Sequence, residues 1–258
     1  MSESSSLSAK ELLAQRTLLL EQVETLRASI KESDHVLHVA VHALRNPLSS
    51  ILMSAEVMLM EESFSALERR EMMEGIVHEA ERMTKLIGNM LELHAIEQGR
   101  VEMQRVPLEV AGIFASVAEN YQAKADLKEQ PITIKIPEQR GEIEADHDQL
   151  VRIFDHLLSN AVKFTPPKGR LTLEVIHNPD NIQCVVKDSG PGLSEIDHQK
   201  LFGKFAKLSP KPTGKESTTG LGLAIVKTLV LKMGGKVWCE TSLGNGCRFI
   251  VEFPRVKK

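Results

Sequence analysis

The sequence has few aromatic residues, no long apolar run and no excess of positive charge, and each absence excludes a class of protein. Aromatic residues make up 4% of the 258 residues, which leaves little surface on which nucleic-acid bases would stack. The formal net charge is −3, so no basic field attracts a nucleic-acid backbone. No run of about 18 apolar residues occurs, so none of this sequence is expected to span a membrane. We therefore expect no nucleic-acid partner.

Cysteine is also scarce. The chain has three cysteines, Cys184, Cys239 and Cys247, and none of them belongs to a Cys-x-x-Cys pair. This spacing argues against a zinc site and against a disulfide framework. Free thiols are typical of a reducing compartment. Together with the lack of a membrane-spanning run, the cysteine pattern predicts a cytoplasmic chain.

The distribution of glycine and proline divides the chain near Gly99. Both residue types are sparse before this point and frequent after it, where short apolar runs alternate with helical stretches. The pattern predicts an α+β protein, in which an all-helical part precedes a two-layer α/β sandwich. The length suits roughly two domains. We divide the chain into an N-terminal coiled-coil helix (1–30), a helical hairpin (31–100) and the α/β domain (101–258).

A heptad seam runs along the first forty residues. Its members are Leu12, Arg16, Leu19, Val23, Leu26, Ile30, Ser33, Leu37 and Ala40. They are spaced alternately four and three residues apart, which is the period of a coiled coil. Such a stripe is buried either in a hairpin within the chain or in a parallel homodimer. A second helix over residues 65–98, after a turn at 61–64, repeats the apolar spacing, and two such hairpins predict a dimeric four-helix bundle.

The second part of the chain reads as short strands mixed with helices. Helices are predicted over 111–127, 146–164 and 221–233. Strands are predicted near 106–110, 132–136, 142–145, 171–176, 182–187, 236–240 and 247–253. Residues 203–219 are rich in Gly, Pro, Ser, Thr and Lys, which predicts a mobile loop.

The first candidate for chemistry is His42, in the segment His42–Leu48. If the seam continues through Ala40 and Leu44, His42 lies about 200° from both around the helix and faces outward. Imidazole has a near-neutral pKa, so its neutral nitrogen can attack phosphorus at physiological pH. Taken alone, His-x-x-x-x-Pro is a weak pattern, and a surface histidine beside a proline is the competing interpretation.

The second candidate is a polar stripe on the helix predicted over 146–164. His156, Asn160 and Lys163 recur at i, i+4 and i+7, opposite an apolar face. The Asn160 carbonyl oxygen suits Mg²⁺, and the Lys163 ammonium suits phosphate. An ordinary solvated helix face is the competing interpretation.

Two glycine-containing segments follow. Asp188–Gly192 comes directly after a predicted strand, so its carboxylate can accept from an exocyclic amine while the glycines let the backbone approach a flat ligand. Gly220–Leu223 opens a helix, where free N–H groups and the helix dipole attract phosphate. A plain turn and a glycine-capped loop are the competing interpretations.

In this order and spacing, the motifs resemble those of the histidine kinases of two-component signalling, from about residue 30 to the end of the sequence. The resemblance covers the phosphoacceptor box, the N box, the two glycine boxes, the F box and the final hairpin turn of that family. The phosphoacceptor box is His42–Leu48 and the N box is His156–Phe164. The glycine boxes are Asp188–Gly192 and Gly220–Gly222, the F box contains Phe202 and Phe205, and the hairpin turn is Gly244–Gly246.

The resemblance implies a dimerisation and phosphotransfer bundle followed by an ATP-binding domain of the Bergerat (GHKL) type. It implies that His42 takes the γ-phosphoryl group of ATP and passes it to an aspartate of a cognate response regulator. It assigns Asn160 to Mg²⁺, Lys163 to phosphate and Asp188 to adenine. The other site residues that it implies are Arg45 and Asn46 beside His42, and His156, Phe164, Gly190, Gly192, Phe205, Gly220, Leu221 and Gly222 around the nucleotide. The chain then corresponds to the cytoplasmic portion of a sensor, and an upstream sensor domain or membrane segment is compatible with it.

Two positions depart from the family pattern. Ala43 stands where the family usually has an acidic residue, and His156 stands where it usually has asparagine. The first departure favours an alternative function, an ATP-binding scaffold that labels itself weakly and acts mainly as a phosphatase or phosphotransfer partner. A nucleotide-driven clamp of the wider ATPase superfamily is a third interpretation, against which the His42 segment counts.

Overall fold

The computed structural model describes residues 9–60, 64–138, 141–214, 216 and 218–256. Two long helices come first, α1 (Ala9–Met60) and α2 (Ala66–Glu97). The start of α2 is determined by a capping box, in which the Ser65 hydroxyl accepts from the Glu68 N–H at 3.3 Å and the Glu68 carboxylate accepts from the Ser65 N–H at 2.9 Å. Both exchanges satisfy N–H groups that the helix itself leaves unpaired. The predicted hairpin is confirmed; of the predicted turn, residues 61–63 lie outside the described residues.

The heptad seam stays exposed in the single chain. Leu19, Leu26, Ile30 and Leu37 are 54%, 62%, 61% and 61% exposed, whereas Ala40 is buried. At the same rise per residue, α2 with 32 residues is too short to cover α1 with 52 residues. An intrachain hairpin therefore leaves the N-terminal half of the seam open. The side chain of Leu12 lies outside the described residues.

The α/β part is built on a five-stranded sheet with the order β2-β4-β5-β7-β6. Its strands are β2 (Ile132–Lys135), β4 (Leu171–His177), β5 (Asn181–Asp188), β6 (Lys236–Thr241) and β7 (Cys247–Pro254). The β2–β4 pair is parallel and the other pairs are antiparallel. A separate antiparallel pair joins β1 (Val106–Glu109) to β3 (Glu142–Ala145).

Three helices complete the two-layer sandwich, α3 (Val110–Asp126), α4 (His147–Phe164) and α6 (Gly222–Lys232). The apolar face predicted for α4 is buried, with Ile153, Phe154 and Leu157 fully inaccessible. Alternate residues of β4, β5 and β7 bury the facing layer, as expected for a sheet covered by helices. This packing leaves the polar stripe of α4 pointing away from the sheet.

One short helix was not predicted. Helix α5 (Glu195–Lys200) lies inside the stretch between β5 and the predicted loop, and its Ser194 hydroxyl accepts from the Asp197 N–H at 3.1 Å. The Ser-x-x-Asp pattern at 194–197 is a helix-start signal that the strand-and-loop reading overlooked. In the described residues, no helix is long and apolar enough to cross a membrane.

Candidate active site

A cleft of about 1140 Å³ separates the helical hairpin from the polar stripe of α4. The hairpin side contributes α1 and α2, and the opposite side contributes α4, the loop before α6 and the first turn of α6. The predicted site residues on its walls are His42, Asn46, His156, Asn160, Lys163, Phe164, Phe205, Gly220 and Gly222. Residues far apart in the sequence, predicted from separate motifs, therefore line one cavity.

A smaller cavity adjoins this cleft at Asn160 and Phe164, which line both. Its other predicted members are Asp188 and Gly192, and apolar side chains such as Leu201 and Phe249 complete its walls. A mostly apolar pocket with one carboxylate in its lining suits a purine base whose exocyclic amine needs an acceptor.

The Asp188 carboxylate is held in place by the backbone. Its Oδ1 accepts from the N–H of Gly190 at 2.8 Å and from the N–H of Cys247 at 3.2 Å. Burial raises the pKa of Asp188, while these two hydrogen bonds oppose the rise. No described residue hydrogen-bonds to Oδ2, so that oxygen is available to a ligand.

The glycines around Asp188 are required by close backbone approach. Gly192 has a φ of +69°, and a Cβ there would collide with the carbonyl oxygen of Ser242 in the β6–β7 turn. Gly190 lies against Phe164, whose carbonyl oxygen a Cβ would approach to 3.0 Å. Neither position accepts a side chain without moving the backbone.

The second glycine segment packs against the loop that precedes it. Gly220 has a φ of +71°, and a Cβ there would lie 2.9 Å from the carbonyl carbon of Phe205. Leu221 is buried and is the N-cap residue of α6, although its side chain makes no capping hydrogen bond. Gly222 and Leu223 in the first turn of α6 line the cleft, and the unpaired N–H groups of a helix N-terminus can bind phosphate oxygens.

Burial controls the charge of the polar stripe. It lowers the pKa of Lys163 to about 8, and the nearby positive charge of Lys85 lowers it further. It also lowers the pKa of His156, so this imidazole is neutral at physiological pH. The His156 ring lies beside Gly222, where a Cβ would be 3.2 Å from Nδ1.

The His42 side chain is exposed on α1, consistent with the outward position predicted from the seam, and it lines the cleft. Its ring contacts that of His38 one turn earlier, with centroids 4.6 Å apart and planes at 70°. Asn46, one turn later, lines the same cleft. Arg45 is exposed but is not part of the cleft lining, so the structure does not bring it to the other site residues.

Two family models match the chain. The model of the His Kinase A (phospho-acceptor) domain matches residues 32–99. The model of the histidine kinase-, DNA gyrase B- and HSP90-like ATPase matches residues 145–257. The chain belongs to the histidine kinase family. The first match contains His42 and the second contains the nucleotide motifs, so both halves of the family pattern are present in one chain.

Relatives with curated names are longer than this chain. The adaptive-response sensory kinase SasA of Synechococcus sp. (strain JA-2-3B'a(2-13)) is 27% identical over 240 residues, which are 92% of this chain and 63% of that protein. The circadian input-output histidine kinase CikA of Synechococcus elongatus is 31% identical over 239 residues, which are 92% of this chain and 32% of that protein. The chain thus spans less than two thirds of these relatives.

Solved histidine kinases share the fold. AdeS of Acinetobacter baumannii matches with a TM-score of 0.67 at 17% identity, over 84% of this chain and 98% of that one. ThkA in complex with the response regulator TrrA matches with a TM-score of 0.65 at 21% identity, over 99% and 68%. Full-length ShkA in complex with AMPPNP matches with a TM-score of 0.63 at 25% identity, over 87% and 46%.

Among the predicted site residues of the cleft, Asn160 is the one assigned to Mg²⁺, so phosphates and water would have to supply the other ligands. No cluster of three His, Cys, Asp or Glu side chains that could hold a metal occurs in the described part of the chain. Asn160 is half-buried and lines both cavities. One amide oxygen suits Mg²⁺, because this ion commonly takes one or two protein ligands and completes its shell with phosphates and water.

The structure adds residues that the sequence motifs did not indicate. Lys85, Asn89 and Glu92 project from α2 into the cleft. The Asn89 amide donates to the Thr219 hydroxyl at 2.9 Å, and Glu92 pairs with Arg152 of α4 at 2.7 Å. These contacts join the hairpin to the α/β domain. In the sequence these residues belong to the helix predicted over 65–98 from its apolar spacing alone. No nearby motif indicated that they line the site.

Proposed function

We propose that this chain is an ATP-dependent protein histidine kinase that phosphorylates its own His42. Residues 31–100 act as the dimerisation and phosphotransfer domain, and residues 101–258 bind ATP. The observation that carries the proposal is the shared cleft, in which His42 lies on one wall and Asn160, Lys163 and Gly222 lie on the other.

In this reaction the neutral imidazole of His42 attacks the γ-phosphorus of ATP. A nitrogen–phosphorus bond forms, the bond from phosphorus to the β–γ bridging oxygen breaks, and ADP leaves. The proton on the other ring nitrogen passes to water or to a neighbouring base. Phosphoryl transfer depends mainly on positioning and charge neutralisation.

Each binding residue has a role that its surroundings support. The free Oδ2 of Asp188 accepts from the adenine amino group, and Phe164 flanks the base. Lys163 and the first turn of α6 bind phosphate oxygens, and neutral His156 donates a hydrogen bond to them. Asn160 would hold Mg²⁺, which supplies positive charge to the phosphates when bound.

The phosphoryl group on His42 is then passed to an aspartate of a response regulator. The exposed position of His42 on α1 supports this step, because a second protein can reach it once the cleft opens. ThkA is a fold neighbour that was solved in complex with the response regulator TrrA. The partner of this chain is a receiver domain of the same kind.

A second activity is favoured by Asn46. Its amide lies one turn after His42 on the same wall of the cleft, where it can orient water toward the phospho-aspartate of a docked regulator. Since Ala43 supplies no proton acceptor, we infer a balance shifted toward regulator dephosphorylation. Asn46→Ala should then reduce phosphatase activity more than self-labelling.

The test is incubation with γ-labelled ATP and Mg²⁺, followed by acid and base treatment of the labelled protein. A phosphohistidine survives base and is lost in acid. We expect such a label in the parent chain, none in His42→Gln and much less in Asn160→Asp. Label that persists in His42→Gln would refute the assignment of the phosphoacceptor.

A further inference from the structure

The helical hairpin places two cations in the nucleotide cleft that no sequence motif indicated, Arg82 and Lys85. Arg82 pairs with Glu79 at 3.3 Å, which leaves Lys85 as the unpaired one in the part of the chain that the structure describes. Lys85 is exposed on α2 and lines the cleft, on the wall opposite Lys163. Among the described residues, the Lys85 ammonium has no ion-pair or hydrogen-bond partner. The same is true of the Lys163 ammonium on the other wall. Two positive groups from two different domains therefore line one cavity, and neither makes a direct ion pair within the described residues.

The acidic side chains nearby are already engaged. Glu92 pairs with Arg152 at 2.7 Å, and the Asp155 carboxylate accepts from the Tyr121 hydroxyl at 2.6 Å. In the loop before α6, Glu216 pairs with Lys128. None of these carboxylates pairs with Lys85 or Lys163, so the cleft retains excess positive charge between the two walls.

The two lysines are close enough to affect each other. Burial lowers the pKa of Lys163 most, and the positive charge of Lys85 lowers it further, while Glu216 and Asp155 oppose the shift. Burial also dominates the lowered pKa of His156, where Lys85 contributes less than the opposing charges of Glu92 and Asp155. Like charges that face each other across a cavity are unfavourable unless an anion lies between them. An anion that lies between the two lysines would relieve this repulsion. A nucleotide whose phosphate chain extends from Lys163 toward Lys85 on the hairpin is such an anion.

We propose that Lys85 and Lys163 form a two-sided subsite for the terminal phosphate of a nucleoside triphosphate. The proposal rests on the proposed function and adds to it a ligand from the hairpin domain. The nucleotide then bridges the two domains and holds them closed around His42. A nucleoside diphosphate lacks the terminal phosphate that contacts Lys85. It therefore binds to the α/β domain alone, and the cleft is free to open.

The test compares nucleotide affinities in the full chain. We would measure dissociation constants for AMPPNP and for ADP, each with Mg²⁺, by calorimetry, in the parent and in Lys85→Gln, Lys85→Arg and Arg70→Gln. Arg70 is the matched control, because it lies on the same helix, is exposed, and is absent from the cleft lining. Its substitution removes the same unit of charge.

We expect Lys85→Gln to weaken AMPPNP binding about tenfold while ADP binding changes little, since one charge-assisted phosphate contact is lost. Lys85→Arg should keep the preference for the triphosphate, and Arg70→Gln should leave both affinities unchanged. An equal preference in Lys85→Gln and the parent would overturn the subsite. So would an equal loss in Arg70→Gln, which would indicate a general charge effect. A parent chain that binds neither nucleotide would instead refute the proposed function.

Discussion

Residue 43 affects how fast His42 is expected to react. The imidazole loses its second proton as the nitrogen–phosphorus bond forms, and a neighbouring carboxylate would accept it. Ala43 cannot, although it is half-buried and lines the cleft. The ring of His38, one turn earlier, lies 4.6 Å from that of His42 between centroids, and it is the alternative acceptor to test if a carboxylate at position 43 has no effect.

We predict that Ala43→Glu increases the initial rate of self-labelling, because general-base assistance is typically worth about 10²–10⁴ in rate. Ala43→Gln is the matched control, since glutamine has the same shape but cannot take the proton. The measurement is the initial rate of label incorporation at saturating ATP. An unchanged rate in Ala43→Glu, or the same increase in both variants, would mean that the base lies elsewhere or is not needed.

A second prediction at this scale concerns the protonation of Lys163. Its pKa is about 8, lowered first by burial and then by Lys85, with Lys124 adding slightly and Glu216 and Asp155 opposing. Phosphate stabilises the ammonium form and raises the pKa again. Below pH 8 the group is already charged, whereas between about pH 8 and its ordinary value the free protein holds it mostly neutral. In that window, nucleotide binding should take up a proton.

Calorimetry in two buffers of different ionisation enthalpy measures this uptake, at a pH about one unit above the pKa of Lys163. The parent should take up a large fraction of one proton. Lys163→Arg keeps the charge but does not titrate in this range, so its uptake should vanish while binding persists. Uptake that survives in Lys163→Arg would assign the proton to another group.

At the scale of elements, the loop 203–219 is attached to the α/β domain at a few points. The Thr213 hydroxyl donates to the Thr165 carbonyl at 2.9 Å, and the Ser209 N–H donates to the Asp197 carboxylate at 3.1 Å. Phe205 is buried and Leu208 packs against the core, so the start of the loop is anchored. The described residues from Ser209 onward are mostly polar and bury little apolar surface, so ordering them costs conformational entropy with little return.

We therefore predict that nucleotide protects this loop from proteolysis. Trypsin should cleave after Lys207, which is exposed and is followed by Leu208, faster in the free protein than with AMPPNP and Mg²⁺. Cleavage after Arg16 and Arg27 on α1 is the internal control and should not change. Equal cleavage of the loop with and without nucleotide would contradict the prediction.

At the scale of the whole molecule, the exposed apolar seam of α1 requires a partner. Leu26 and Ile30 are more than 60% exposed in the single chain, and burying such a side chain contributes about 1.5–3 kcal/mol. A second copy presents the same stripe, so a parallel homodimer buries both. We predict a dimer mass by light scattering at micromolar concentration.

Leu26→Glu should weaken this dimer about a hundredfold or more, because each dimer loses two buried leucines at a cost of about 3 kcal/mol. Thr25 lies about 200° from Val23 and about 100° from Leu26 around the helix, off the seam, and Thr25→Glu should have little effect. Dilution followed by light scattering gives the dissociation constants. A monomer mass in the parent, or equal weakening by both substitutions, would count against dimerisation through this seam.

The sequence by itself determined most elements and the residue types of the site. The period of the apolar residues, the capping residues and the glycine positions can all be read from a short stretch of sequence. For this reason the predicted ends of α2, α4, β4 and β5 lie within a residue or two of the observed ends. The ligand chemistry of Asn160, Lys163 and Asp188 follows from their side chains. These assignments needed no knowledge of how the two parts of the chain meet.

Only the tertiary structure decided which distant residues share the cleft. Lys85 and Asn89 enter it because α2 packs against α4 and α6, and Arg45 stays outside because of its position around α1. The partial neutralisation of Lys163 also depends on burial and on a charge from another domain. Burial and through-space charge arise from packing between elements far apart in the chain, and no local pattern of residues specifies them.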